Sequence, residues 1–379
     1  MRSNVAMIEE NPDLDPVWID RIRGALRSWY EHGHRDLPWR RDRDAYRILV
    51  SETMLVQTTV AAVIPFFERF LKRFPDVRAL ADADETDVLK AWEGLGYYRR
   101  ARHLHASAKA IVRDHDGVVP DDLEAILALP GVGRYIAGAV LSFAYDIPAP
   151  IVEANTQRLL ARLLALPDDL AKGSTQKRLW QAAERLVPLD QPGRFNQAFM
   201  EIGGTVCTPR DPKCLLCPIC DLCRAKMRGL QHQIPRKSPK AAPLEATESC
   251  ALVVRDNQWL MVQRGPGGLW DGFWEFPTVH CSGADPAGRS VRPDESLADA
   301  VLRLTGVHVE AGQVAKTLRY SVTKHRVELT AHFAKDCGSE IIPYPGIQDV
   351  KFVDSVCLSD MAMGSATRKL AKFVTEEAF

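Results

Sequence analysis

The chain has 379 residues, 46% hydrophobic and 26% charged, with Gly and Pro at ordinary levels, which excludes disordered and collagen-like architectures. Its 49 Lys and Arg balance 49 Asp and Glu, so any surface for an anionic partner must come from local charge placement. The opening Met1–Asp15 lacks the apolar core of a signal peptide, and the longest nearly apolar run, Ala137–Tyr145, is under half of the roughly 20 residues a membrane span needs. We therefore expect a cytoplasmic protein that makes no use of a membrane.

From Trp18 to Leu189, helix-period apolar segments alternate with short polar punctuation. Helices are predicted over Trp18–His32, Asp44–Phe74 with an interruption near Pro65, Asp84–Trp92, Arg99–Asp114, Asp121–Ala128, Tyr135–Ala144, Thr156–Leu166 and Thr175–Leu186. Asp44, Asp84 and Asp121 stand as N-caps. The stretch Arg224–Leu244 holds six Lys or Arg, three Pro and no acid, and reads as an extended basic linker. Beyond it, strands are predicted at Ser249–Arg255 and Trp259–Gln263 around the turn Asp256–Asn257, then at Leu318–Val322 and Arg326–Ala334. Helices follow at Asp294–Leu304 and Ser365–Glu376. The expected architecture is multi-domain: an all-α domain over residues 1–228, a linker over 229–245 and an α/β domain over 246–379.

Five of the nine cysteines crowd between Cys207 and Cys223. Cys207, Cys214, Cys217 and Cys223 stand as C-x6-C-x2-C-x5-C, so four thiolates can converge on an iron–sulfur cluster or a zinc ion, leaving Cys220 as a fifth, non-ligating thiol. The graded spacing does not form the two short knuckles that zinc prefers. Upstream, Leu129-Pro130-Gly131-Val132-Gly133-Arg134-Tyr135 joins two helical segments. Its glycines allow positive-φ geometry with backbone N–H groups facing outward at a helix start, which suits a phosphate or serves as a plain packing corner. Glu52 falls on the apolar face of its helix, one turn from Ile48, Leu49, Leu55 and Val56. Burial there raises an acid's pKa, as a general acid requires, unless an arginine pairs with it. Glu153 precedes a helix whose positive N-terminus favours an ionised carboxylate.

The cysteine loop resembles the [4Fe–4S] loop of the endonuclease III/MutY superfamily of DNA glycosylases, and the Leu129–Tyr135 string resembles that superfamily's helix-hairpin-helix. Leu37-Pro38-Trp39-Arg40 and Ser51-Glu52-Thr53-Met54-Leu55-Val56-Gln57-Thr58 resemble the signature of its MutY-type members. The resemblance runs from about Trp18 to Phe379. It implies a [4Fe–4S] cofactor on Cys207, Cys214, Cys217 and Cys223, with Glu52 as the acid that protonates the base. It implies Glu153 and Tyr135 stabilising the sugar cation, Asn155 orienting the site, and a phosphate on Gly131, Val132, Gly133 and Arg134. Tyr135 stands where strand-nicking members carry a lysine; a phenol cannot form their Schiff base, so the implied reaction is monofunctional base excision. Gln57, Thr58, Leu95 and Tyr97 match residues that open the duplex.

Two positions depart from the pattern. Glu153 replaces an aspartate, extending the charge by about 1.5 Å, and Val56 replaces the first of two glutamines. The second domain resembles a Nudix-like recognition domain around Gly268–Pro277, without the metal-binding glutamate run of Nudix hydrolases. Val322-Thr323-Lys324-His325 corresponds to a loop that senses the base opposite the target, with Thr323 keeping the hydroxyl. The family resemblance implies adenine excision from double-stranded DNA holding an A:8-oxoguanine or A:G mispair, by a monomer. Thymine or uracil mismatch excision and non-catalytic lesion binding are the rival readings.

Overall fold

The computed structural model describes residues 14–236, 241–286 and 295–376. The chain packs as two units, residues 1–82 with 103–239, and residues 83–102 with 240–379. Apart from its last two residues, the Met1–Asp15 segment lies outside the described residues, as does Asp294, the expected start of one helix.

In chain order the helices are α1 (Pro16–His32), α2 (Ala45–Leu55), α3 (Val60–Arg73), α4 (Val77–Ala81), α5 (Glu85–Trp92), α6 (Arg99–Asp114), α7 (Leu123–Ala128), α8 (Arg134–Tyr145), α9 (Ala154–Leu163), α10 (Gly173–Leu186), α11 (Pro192–Thr205) and α12 (Arg224–Met227). The break expected near Pro65 falls instead at Val56–Thr59, where Gln57 takes φ 61°, and Pro65 lies inside α3. Thr59 caps α3 by accepting from the Ala62 amide at 3.4 Å. Asp44 caps α2 through the Arg47 amide at 3.0 Å, whereas the cap of α7 is Asp122 rather than Asp121, and Asp84 makes no side-chain cap bond. Sequence periodicity missed α4 and α11, and the stretch read as extended from Arg224 opens instead on α12.

The first unit's core gathers Ile22 and Leu26 of α1, Leu159, Leu160 and Leu163 of α9, Leu179 and Leu186 of α10 and Phe195, Phe199 and Ile202 of α11. Burying such side chains stabilises the unit by about 1.5–3 kcal/mol each. Ile234, assigned by composition to the linker, is buried in this core. Leu244 begins the first strand, so the expected 229–245 linker gives up Ile234 to the core and its last two residues to the sheet, while residues 237–240 lie outside the described ones.

α2 lies against α8, and α8 and α9 both lie against α11. Gly138, one turn beyond Tyr135 in α8, permits a close approach: a Cβ there would meet the Pro150 carbonyl oxygen at 2.3 Å. That approach brings the segment leading into Glu153 against α8. Gly131 takes φ 75° at the hairpin, and a Cβ there would meet the His103 side chain at 2.4 Å. Gly133 instead has φ −98° with open space beside it and serves as the N-cap residue of α8, so only the first glycine needs positive φ.

The second unit is built on a seven-stranded mixed sheet of β1 (Leu244–Arg255), β2 (Gln258–Arg264), β3 (Trp274–Glu275), β4 (Thr278–Gly283), β5 (Val309–Val322), β6 (His325–Asp336) and β7 (Ile347–Asp354). Asp256 and Asn257, with φ 48° and 62°, make the tight turn expected between the first two strands. β1 is the hub. One edge pairs antiparallel with β4 and then β2, and the other runs parallel to β6. α13 (Leu297–Thr305), capped by Ser296, packs beside Ala251 and Val253, and α14 (Ser365–Glu376) contributes Leu370 and Val374 to the cluster around Trp259 and Phe276. β3, β4 and β7 went unrecognised in the sequence. Residues 83–102 join this unit, where Arg368 Nη2 donates to Glu93 Oε2 at 2.8 Å and Tyr98 meets the Phe273 ring edge-on at 4.4 Å.

Gly138→Ala forces backbone apart at a buried crossing. It should lower stability by about 1–3 kcal/mol, read as a shifted urea midpoint with unchanged slope.

Candidate active site

Glu52 lies in the middle of α2 and is only 2% exposed. The α2–α8 packing sets it beneath Tyr135, whose hydroxyl donates to Glu52 Oε2. Burial pushes the Glu52 carboxyl up to about 7; the Tyr135 hydrogen bond and the charge of Arg40 oppose that rise, and the nearby Glu153 carboxylate adds to it. Burial also raises the Tyr135 phenol well above its ordinary value, so it remains a donor at neutral pH. The two acids feel one another, so that a charge on Glu153 hinders ionisation of Glu52.

Glu153 is the N-cap of α9. Its Oε1 accepts from the Thr156 amide at 2.9 Å and its Oε2 from the Asn155 amide at 2.9 Å and side chain at 3.2 Å, while Thr156 Oγ1 accepts from the Glu153 amide at 2.8 Å. The helix start was expected to keep this carboxylate readily ionised. Instead burial dominates and its pKa is raised despite those three bonds. Asn155 grips the carboxylate through both its amide and its side chain.

Asn155 is in turn held by Arg158, which donates to Asn155 Oδ1 at 3.0 Å, to the Gly203 carbonyl at 2.5 Å and to the Cys207 carbonyl at 2.7 Å. One turn further along α9, Arg162 donates to Cys207 Sγ at 3.2 Å and to the Thr208 and Ile234 carbonyls at 2.7 and 2.8 Å. Both arginines are at least nine-tenths buried. Sequence reasoning missed them, although two arginines four residues apart inside an apolar helix were the available signal. It missed Glu201 too: burial opposes ionisation, but Arg35 at 2.7 Å and Arg40 at 2.9 Å hold that carboxylate below its ordinary range.

Cys207, Cys214, Cys217 and Cys223 line one cavity with Cys220, Arg162 and Lys226. Burial, reinforced by neighbouring thiolates, pushes Cys217 up to about 12 and raises Cys223. A cationic centre among them would reverse both effects, so the donor set fits a thiolate-bound metal group. Cys220 bonds instead to Asp221 Oδ1 at 3.3 Å.

The remaining expected residues divide. Gln57 is exposed in its left-handed turn, and Thr58 closes that turn through its amide to the Leu55 carbonyl at 3.1 Å. In the second unit Tyr97 is 55% exposed at φ 50°, whereas Leu95, expected to open the duplex, is buried. At the hairpin, the Val132 amide is taken by the Leu129 carbonyl at 3.1 Å, and the first intrahelical bond of α8 is Ala137 N–H to Gly133 at 3.0 Å. The outward donors are therefore the first-turn amides from Arg134 onward rather than Val132. The Arg134 guanidinium stacks 4.0 Å over Trp180. Thr323 and Lys324 form the exposed tip between β5 and β6; Thr323 Oγ1 is 3.2 Å from Nδ1 of buried His325.

This fold and paired-acid site define the class. Residues 50–185 match the family model of the HhH-GPD superfamily base excision DNA repair protein, and residues 249–372 match that of the NUDIX domain. An adenine DNA glycosylase of Buchnera aphidicola is 34% identical over 251 residues, covering 66% of this chain and 72% of that protein. Human adenine DNA glycosylase is 36% identical over 319 residues, covering 70% of this chain and 58% of the human protein. The chain belongs to the adenine DNA glycosylase family. It spans 58–62% of the length of the human, rat and mouse relatives. A solved thermostable thymine-DNA glycosylase matches 56% of this chain and 98% of its own at 30% identity, with a TM-score of 0.51.

A carboxyl raised from 4.5 to about 7 on folding contributes stability at low pH that is lost as pH rises through 7. Glu52→Gln keeps an acceptor for Tyr135 without the charge. It should be more stable than the parent at about pH 8, by up to about 3 kcal/mol, and lose that advantage near pH 4. Urea melts at the two pH values measure this.

Proposed function

We propose that the chain is a monofunctional DNA glycosylase that hydrolyses the N-glycosidic bond of adenine mispaired with 8-oxoguanine or guanine. The observation that carries this reading is the buried Glu52, raised to about 7 beneath Tyr135 and coupled to Glu153. Adenine leaves badly as an anion. Glu52 gives its proton to the purine ring, the C1′–N9 electron pair departs with the neutral base, and the sugar is left cationic. Glu153, steadied by Asn155 and ionised in this step, stabilises that cation until water adds to C1′ and surrenders a proton to a carboxylate. Tyr135 fixes the direction of the Glu52 carboxyl, and its phenol offers no amine for strand nicking.

The substrate base must leave the stack, at a cost of a few kcal/mol. Exposed Gln57 suits insertion into the gap, and the first-turn amides of α8 in the same unit suit a backbone phosphate; exposed Tyr97 of the second unit offers a ring on which a base can stack. The Thr323 hydroxyl, at an exposed hairpin tip, suits contact with the base opposite adenine. Cys207, Cys214, Cys217 and Cys223 would hold a [4Fe–4S] cluster. Hydrolysis moves no electrons, so such a cluster would hold closed the loop that presents exposed Arg210 and Lys213. Likeness to the thymine-DNA glycosylase structure supports a second reading, excision of T or U opposite G.

Single-turnover excision on duplexes that differ only in the target pair tests the proposal. Adenine opposite 8-oxoguanine should be released and thymine opposite guanine retained; the reverse establishes the second reading. Glu52→Gln should slow adenine release by about 10²–10⁴-fold. The parent's rate should fall about tenfold per pH unit above about pH 7, where Glu52 loses the proton it must donate, and fall again at acid pH, where Glu153 takes one up. Wild-type rates in Glu153→Gln would remove that residue from the mechanism.

A further inference from the structure

Two buried acids and a histidine meet in the second unit, away from any residue given a role above. Glu248 of β1 pairs directly with His280 of β4, and an extra residue on β4, Cys281, breaks the register between Thr247 and Glu248. Such a bulge re-aims side chains; here it leaves Cys281 exposed, with Glu248 3% and His280 4% exposed. Asp285, two residues beyond β4, turns its carboxylate back toward the same place, with a side chain 4% exposed. One ligating atom from each of Glu248, His280 and Asp285 lies within 4.8 Å of the other two.

The histidine's chemistry is decided by its other nitrogen. His280 Nε2 is 3.1 Å from the Gly283 carbonyl, which can only accept, so Nε2 carries the hydrogen. The neutral ring then presents a bare lone pair at Nδ1. That atom is buried without a hydrogen-bond partner, and the nearest carboxylate oxygen, Asp285 Oδ1, is 3.9 Å away. Gly283 is needed for this arrangement, since it has φ 82° and a Cβ there would meet the Glu245 carbonyl oxygen at 2.1 Å. A lone pair facing two buried carboxylates is repelled by both unless a cation lies between them.

We propose that Glu248, His280 and Asp285 bind one divalent transition-metal ion, Zn²⁺ or Mn²⁺. The imidazole argues against Mg²⁺ and Ca²⁺, which take oxygen donors, and the Gly283 carbonyl supplies the outer hydrogen bond that metal-bound histidines ordinarily make. Ions of this kind bond at about 2.0–2.2 Å, which puts neighbouring donors roughly 3–3.5 Å apart, so the 3.9 Å separation closes by about 0.5 Å. The ion ties the chain leaving β4 to β1. Because Tyr320 of β5 donates to Glu248 Oε2 at 2.7 Å, the tie reaches the strand that ends at the Thr323 hairpin.

Mn²⁺ is the probe of choice because thiolates bind it poorly, which keeps the cysteine loop silent. The full chain, freed of adventitious metal with EDTA, is titrated with Mn²⁺ while the electron paramagnetic resonance signal of the free ion is followed. One saturable site per chain is expected, displaced by Zn²⁺ and weakened at least tenfold in both His280→Gln and Asp285→Asn. Mn²⁺ should also raise the melting temperature of the parent and not of the variants. Should His280→Gln fail to fold, Asp285→Asn and the parent stoichiometry decide. Absence of saturable binding to the parent, or equal affinity in Asp285→Asn, overturns the proposal and assigns the place between these groups to a proton.

Discussion

A carboxyl group sealed beneath a phenol is an expensive thing for a fold to hold, and the first unit is arranged around holding it. Glu52 sits in the middle of α2, surrounded by side chains that could have filled its place with hydrocarbon. What keeps it there is the seating of α2 on α8, which supplies the Tyr135 hydrogen bond; among the described residues no cation forms an ion pair with it. Arg40 is close enough to oppose the pKa rise, but its own hydrogen bond goes to Glu201, so it tempers the acid without neutralising it. The resulting pKa near neutrality follows from withholding a partner.

Helix α9 links that acid to the far side of the unit. Glu153 caps its first turn, Arg158 grips Asn155 from the second, and Arg162 reaches the Cys207 thiol from the third. The carboxylate and the first cysteine are thus joined by three hydrogen bonds through Asn155 and Arg158. Asn155 and Arg158 are the two side chains that separate the Glu153 carboxylate from the backbone of the cysteine loop.

The helical half was legible because its helices are amphipathic and capped, and because Glu52, Tyr135, Glu153 and the four cysteines sit in compact strings. What escaped is physical in origin. The break at Val56–Thr59 comes from a left-handed Gln57, a residue type that sequence patterns do not flag, whereas Pro65 drew attention and is tolerated inside α3. α11 begins after another left-handed glutamine, Gln191, and carries paired glycines, so its pattern argues against the helix it forms. Leu95 looked available for insertion, but apolar side chains are buried when neighbours permit. Glu248 and His280 lie 32 positions apart and meet only through strand pairing, which no local spacing reveals.

The parallel pairing of β1 with β6 has a consequence for the chain as it is made. About 70 residues separate Arg255 from His325, and at roughly 5–20 residues per second the ribosome needs several seconds to deliver the second strand after the first. During that interval β2 and β4 can close one edge of β1 while the backbone groups of its other edge wait for β6. The sheet is therefore completed on that side only after the intervening chain, including α13 and β5, has been made.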